Sequence, residues 1–303
     1  MSRAGNRDNG LTGAVVAAGG AALAARLSYA LLRARPPGGG QAWNRTNHRG
    51  EAITLLEGPA VAIGAIAGAA LAPGIGQPEK AAMIVAGAGA AAFGGYDDLA
   101  GDGASKGFRG HLGALRRGEL TTGAVKLAGI GATGLAAALI AARNGGRDTR
   151  DGAGCSGRTP VLSAADAAIN AGLIAGGANL VNLFDLRPGR AIKVAIGATG
   201  LLAPVPGTVT LAAAPLAAAA ALLPDDLGER AMLGDAGANA IGAMLGVAAT
   251  AMPRRARLAA LAGVVGLTAA SEVVSFTRVI ERTRPLHWVD MLGRRGTRAD
   301  PPG

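Results

Sequence analysis

The feature that most limits what this 303-residue chain can fold into is the spacing of its charges. Residues 58–78 run for 21 positions without a charged side chain, and residues 194–224 run for 31. Shorter charge-free runs cover 11–25, 81–96, 127–142, 167–184, 236–253 and 258–271. An amphipathic helix of a soluble protein carries a charged or strongly polar residue every three or four positions. These runs carry none. About 20 apolar residues span a bilayer core, so the pattern predicts a polytopic membrane protein. The 31-residue run is too long for one span, and Pro-Val-Pro-Gly at 204–207 breaks it in two.

Composition fits this reading once the small residues are counted. Ala and Gly make up 122 of the 303 residues, while aromatic residues are only 3%. The glycines follow no three-residue period, so a collagen-like fold is excluded. The single cysteine, Cys155, excludes an internal disulfide and a cysteine-based zinc site. In a membrane, small residues let helices approach closely, and the stretches 87–94 and 236–243 are candidates for such contacts.

The expected architecture is all-α, a bundle of nine transmembrane helices at about 11–32, 52–73, 80–96, 120–142, 162–178, 191–204, 209–223, 236–252 and 258–280. Residues 11–295 read as one domain, flanked by disordered tails at 1–10 and 296–303. The stretch 144–160, rich in Gly, Arg and Asp, reads as a solvated linker. Nine spans put the termini on opposite sides. The loops 33–51, 97–119, 179–190 and 224–235 with the tail from 281 hold 16 Lys and Arg, against 9 in the other set. The positive-inside rule therefore places the first set and the C-terminus in the cytoplasm, and the N-terminus outside. The formal charge of +10 then reflects cytoplasmic loops, including Lys106, Arg109, Arg116 and Arg117, facing anionic lipid rather than nucleic acid.

Carboxylates gather at the span ends on that same side. Asp97 and Asp98 end the third span, Asp185 the fifth, and Asp225 and Asp226 the seventh; Asp235 opens the eighth. Acidic residues contribute little to orientation, so this clustering is independent of the topology. Adjacent carboxylates at a membrane boundary repel one another and are costly to desolvate. A divalent cation relieves that cost. Mg²⁺ takes a few carboxylate oxygens and keeps water or phosphate in its other positions, which suits chemistry on a lipid phosphate. Asn179 and Asn182 share a helical face, as a pair for another helix or for a ligand. Lys126 lies one turn inside the fourth span, either snorkelling to the interface or meeting a phosphate.

In order, Asp-Asp, Lys, Asn-x-x-Asn-x-x-Asp and Gly-Asp-x-Gly resemble the polyprenyl-phosphate N-acetylhexosamine-1-phosphate transferases, the superfamily of phospho-N-acetylmuramoyl-pentapeptide transferase. The resemblance covers roughly residues 43–295. The segment Trp43, Asn44, Arg45, Thr46, Asn47, His48 is similar to the family's first cytoplasmic loop. The resemblance implies a Mg²⁺-dependent enzyme of the bacterial plasma membrane, with its active face cytoplasmic. A UDP-sugar gives its sugar-1-phosphate to undecaprenyl or another polyprenyl phosphate, an initiating step of cell-envelope glycan synthesis. By the same resemblance, Asp97, Asp98 and Lys126 are catalytic, and Asp235 with Asp98 holds the metal. Asn179, Asn182, Asp185, Asn44, His48 and Arg294 bind substrate. The implied partners are polyprenyl phosphate, a UDP-sugar and anionic lipid, with a homodimer as an option.

The chain also departs from the family. Pro188 stands where a second Asp linked to uracil recognition is usual, and Met232 where many members have an aromatic residue. The region 284–295 has one His, His287, in place of a His-rich motif, and Arg294 and Arg295 are its candidates for phosphate. The metal site reads as kept and the nucleotide site as altered. The alternative is therefore a catalytically altered homologue that binds polyprenyl phosphate as a membrane scaffold.

Overall fold

A computed structural model describes residues 3–47, 49–101, 118, 121–144 and 163–295. Among them are twelve α-helices and one two-stranded antiparallel hairpin. The helices are α1 (Arg3–Ala34), α2 (Gly40–Trp43), α3 (Glu57–Leu71), α4 (Gln77–Ala100), α5 (Thr122–Ala141) and α6 (Ala164–Phe184). They continue with α7 (Arg190–Leu202), α8 (Thr208–Leu227), α9 (Gly234–Ala249), α10 (Arg254–Ser271), α11 (Phe276–Arg282) and α12 (Arg284–Met291). The hairpin joins β1 (Asn44–Thr46) to β2 (Ala52–Thr54), with Arg45 opposite Ile53.

The chain is thus all-α in its membrane part. Among the described residues, four helical segments are long and apolar enough to cross a bilayer: Gly10–Ala34, Thr122–Ala141, Ala164–Phe184 and Thr208–Leu227. A fifth is added if α10 and α11 form one span. Each of the nine expected runs carries a helix, but α3, α7 and α9 have only 15, 13 and 16 residues. At 1.5 Å per residue, 13 residues reach about 20 Å, short of a core of about 30 Å.

Two local outcomes differ from the expectations. The run expected at 258–280 is not one helix: α10 and α11 meet at 96°. Ser275 starts the second piece by accepting from the Arg278 N–H, a side-chain cap that competes with a continuous helix. Helical backbone begins at Arg3, inside the stretch read as a tail. The break at 204–207 does appear, with Gly207 in the left-handed conformation at φ +82°. The linker at 144–160 lies outside the described residues apart from Asn144, as do the loop basic residues Lys106, Arg109, Arg116 and Arg117.

Helix α9 is the centre of the bundle. All of its residues except Asp235 are buried, against α6, α4, α3 and α8. Ten of its 16 residues are Gly or Ala, six of them within 236–243, which lets its neighbours close in on backbone rather than on side chains. At the crossing with α6, a Cβ on Gly177 would stand 2.7 Å from the Gly242 carbonyl oxygen, so even Ala would force the helices apart. At the α4 crossing, a Cβ on Gly94 would stand 2.6 Å from the Asp235 carbonyl carbon. Both small-residue stretches expected to mediate close contact do so, and the second contact brings the Asp-Asp end of α4 against the start of α9.

Candidate functional site

The acidic end of the bundle is built from helix termini. Asp97 and Asp98 lie in the last turn of α4, Lys126 in the first turns of α5, Asp185 just past α6, Asp226 at the end of α8, and Asp235 at the start of α9. Residues this far apart in sequence meet because the chain passes up and down through the bundle, so alternate loops share one end.

Lys126 is the link between two of these carboxylates. Its Nζ donates to Asp97 Oδ2 at 2.7 Å and to Asp235 Oδ2. The Asp97 and Asp235 carboxylates also touch each other, and the Thr122 hydroxyl donates to Asp97. Asp98 has a different geometry. Its Oδ1 accepts from the Asp235 N–H at 3.0 Å and its Oδ2 from the Ala236 N–H at 2.9 Å. A carboxylate from one helix thus caps the first turn of another, where free N–H groups and the helix dipole favour negative charge. Gly234 makes this possible, with φ +57° and no Cβ; a Cβ there would lie 3.0 Å from both Asp98 oxygens. The Arg45 guanidinium, from the hairpin, donates to the Asp98 carbonyl and to Ala42 O at 3.2 Å, tying the hairpin to the end of α4.

Behind this group lies a second set of carboxylates with unmet hydrogen-bonding capacity. Asp185 Oδ2, Asp226 Oδ2 and both carboxylate oxygens of Glu57 are buried and have no hydrogen-bond partner. Glu57 is 0% exposed, in the first turn of α3. Gly189 N–H donates to Asp226. Asp185 lies beyond the last residue of its span. Burial, then the neighbouring Asp226, Asp235 and Asp98 carboxylates, push its carboxyl well above the usual range, while the Gly234 N–H opposes the shift. Asp225, by contrast, is neutralised by Arg26 at 2.7 Å and Arg230 at 3.0 Å.

A cavity of about 200 Å³ opens beside the cluster. Its walls include Asp185, Asp226, Asn47 and two of the positions where the chain departs from the pattern it resembles, Pro188 and Met232. Its rim is tied down by Asn47 Nδ2 donating to Glu229 at 2.9 Å and by an Arg49–Glu229 ion pair at 2.9 Å.

The other expected site residues fall elsewhere. Asn179 donates to Thr268 Oγ1 of α10 at 3.4 Å, a contact between helices. Asn182 is half-buried one turn before Asp185. Asn44 is exposed on β1 and lines a different depression with Arg33, Pro36 and Arg230. Arg294 pairs with Asp290 at 2.7 Å rather than with the acidic cluster. His48 lies outside the described residues. Sequence reasoning did not select Glu57, and it counted Asp226 among the clustered carboxylates without giving it a site role. Both left a signal: Glu57 is the last charge before a 21-residue charge-free run, and Asp226 repeats the Asp-Asp pattern of 97–98.

The donor set suits a hard divalent cation. It is all carboxylate, its negative charge exceeds what Lys126 supplies, and three adjoining carboxylates keep at least one oxygen without a partner. Among the described residues no three acidic, His or Cys side chains already form a cage. Mg²⁺ does not require one, because it binds through one or two carboxylates together with substrate phosphates. No protein-family model matches the chain, and no curated protein matches it.

Proposed function

We propose that this protein is a Mg²⁺-dependent transferase that moves a sugar-1-phosphate from a UDP-sugar to a polyprenyl phosphate at the cytoplasmic face of a bacterial plasma membrane. The observation that carries the reading is the meeting of Asp97, Lys126 and Asp235 from three helix ends, with Asp98 capping the helix that bears Asp235. These are the residues that the family resemblance selected, and nine spans with the C-terminus inside are the topology that goes with it.

In this reading Asp235 holds the cation, and Asp98 fixes its position by clamping the start of α9. Mg²⁺, when bound, neutralises the diphosphate and makes its sugar-side phosphorus more electrophilic. Lys126 exchanges a carboxylate partner for a phosphate oxygen of the substrate. Asp97, freed from Lys126, orients the polyprenyl phosphate. An oxygen of that phosphate attacks the sugar-bound phosphorus, the bond to the uridine-bearing phosphate breaks, and UMP leaves. The cavity beside Asp185 receives the nucleotide. With Pro188 and Met232 in its wall, its donor preference differs from that of the family's usual members. The acidic cluster lies where alternate loops meet, so the lipid phosphate reaches it from the membrane edge and the nucleotide from water.

The test is purified protein in detergent or nanodiscs, supplied with polyprenyl phosphate and a panel of UDP-sugars. UMP release that depends on Mg²⁺ and is lost in Asp235→Asn is the expected result. Polyprenyl phosphate binding with no UMP from any donor would favour the scaffold reading. Activity unaffected by Asp235→Asn would remove the metal assignment.

A further inference from the structure

A second charged region lies next to the acidic one and has the opposite sign. Arg190 is buried and grips Asp290 with two hydrogen bonds, of 2.7 and 3.0 Å. Arg294 Nη1 adds a third at 2.7 Å, and Lys193 donates to the Asp290 carbonyl at 2.6 Å. Arg187 is close enough to act on Arg294 electrostatically. One carboxylate therefore stands among several cations. Burial pulls the Arg294 guanidinium below its usual range, and Arg190 and Arg187 add to this, while Asp290 and Glu229 oppose it. The Arg294 side chain is only 9% exposed, and its Nη2 is buried with no hydrogen-bond partner. An unpaired donor of a buried charged group is costly, more so than a neutral one.

Arg294 also lines an open groove of about 440 Å³. One wall is the last two turns of α8, with Ala220, Leu223 and Leu227; the other is the strap of Gly293, Arg294 and Arg295. Helix α8 is one of the candidate membrane spans, so the groove sits where such a span meets water. It combines an apolar wall continuous with the span and a cationic rim at its end.

We propose that this groove binds the anionic phosphodiester headgroup of a bilayer phospholipid, with Arg294 on the phosphate, an acyl chain along α8, and Arg295 held at the rim by Glu51 at 3.0 Å. This rests on α8 crossing the membrane and is independent of the transferase reading. A cation at a membrane surface contributes about 1 kcal/mol toward an anionic lipid, which is roughly fivefold in affinity. The apolar wall is what selects a lipid over free phosphate.

The experiment uses the full chain in nanodiscs of phosphatidylcholine with and without phosphatidylglycerol, and native mass spectrometry of the lipid that stays bound. The expected result is retention of phosphatidylglycerol over phosphatidylcholine, with the preference falling roughly fivefold in Arg294→Gln. Arg294→Lys keeps the charge and part of the preference, and Ala220→Phe fills the groove without touching a charge and loses it. Arg282→Gln, on the exposed face of α11, leaves the preference in place. A preference unchanged in both Arg294→Gln and Ala220→Phe overturns the proposal. So does release of phosphatidylglycerol by inorganic phosphate or by polyprenyl phosphate, which would mark a soluble-anion or substrate site.

Discussion

Two charged regions at the same end of the bundle are balanced in opposite ways. Around Asp290, a buried carboxylate is met by Arg190 and Arg294, with Lys193 on the backbone carbonyl of the same residue, and its carboxyl is held below the usual range: burial works against this, but the Arg190 hydrogen bonds and the nearby cations outweigh it. At the acidic end, Asp185, Asp226 and Glu57 keep oxygens with no partner, and the Asp185 carboxyl is pushed up. The first arrangement ties α7 to the C-terminal helices and is a stabilising one. The second costs stability in the protein alone, and such a cost persists where a ligand or ion relieves it. Charge balance thus separates the Arg190–Asp290 strut from the acidic site, while Arg294 at the edge of the strut keeps one donor, Nη2, without a partner.

The largest effect should come from breaking the strut. Arg190→Met leaves Asp290 buried with a partner missing and should cost about 3–5 kcal/mol, read as a lowered unfolding temperature in detergent. The acidic end should respond in the other sense. Asp235→Asn should lower UMP release by roughly 10²–10³-fold while leaving the unfolding temperature unchanged or raised. Equal destabilisation by the two substitutions would erase the distinction between them.

Geometry offers an intermediate effect. Gly94→Ala pushes α4 away from the Asp235 backbone, and overpacking of this kind costs about 1–3 kcal/mol. It should also weaken Mg²⁺ dependence by separating Asp97 from Asp235, which a titration of activity against Mg²⁺ would detect.

The two regions should also titrate in opposite directions. Asp290 is lowered, so its stabilisation is present above the unfolded value of about 3.9 and is lost as pH falls through the folded value. Asp185 is raised, so its contribution is favourable below about 3.9 and is lost as pH rises through the folded value. In unfolding scans against pH, Asp290→Asn should remove a loss on the acid side, and Asp185→Asn a loss above it. The smallest effect belongs to Asn179→Ala, which removes a 3.4 Å hydrogen bond between helices. About 0.6 kcal/mol is expected for such a bond in a membrane.

Which parts of this were legible in the sequence follows from what each signal encodes. Charge-free runs encode burial or lipid, so the all-α class and the position of each long helix could be read. They do not separate lipid-facing from protein-buried helices, because both exclude charge. Helix α9 is surrounded by protein and α7 is only 13 residues long, yet both read as spans. The convergence of Asp97, Lys126 and Asp235 was legible because alternate loops share an end. The capping role of Asp98 was not, since it depends on Gly234 adopting a left-handed turn beneath it. The Arg190–Asp290 tie was equally hidden, because 100 residues separate the partners and nothing in either local sequence refers to the other.

The central claim is that the acidic end takes up a divalent cation through Asp235. Electron paramagnetic resonance of Mn²⁺, titrated into the wild-type protein and Asp235→Asn in nanodiscs with UDP present, measures this without requiring turnover. The account predicts a bound Mn²⁺ signal in the wild type that Mg²⁺ displaces and that Asp235→Asn lacks. An identical signal in both proteins, or none in the wild type, would contradict it.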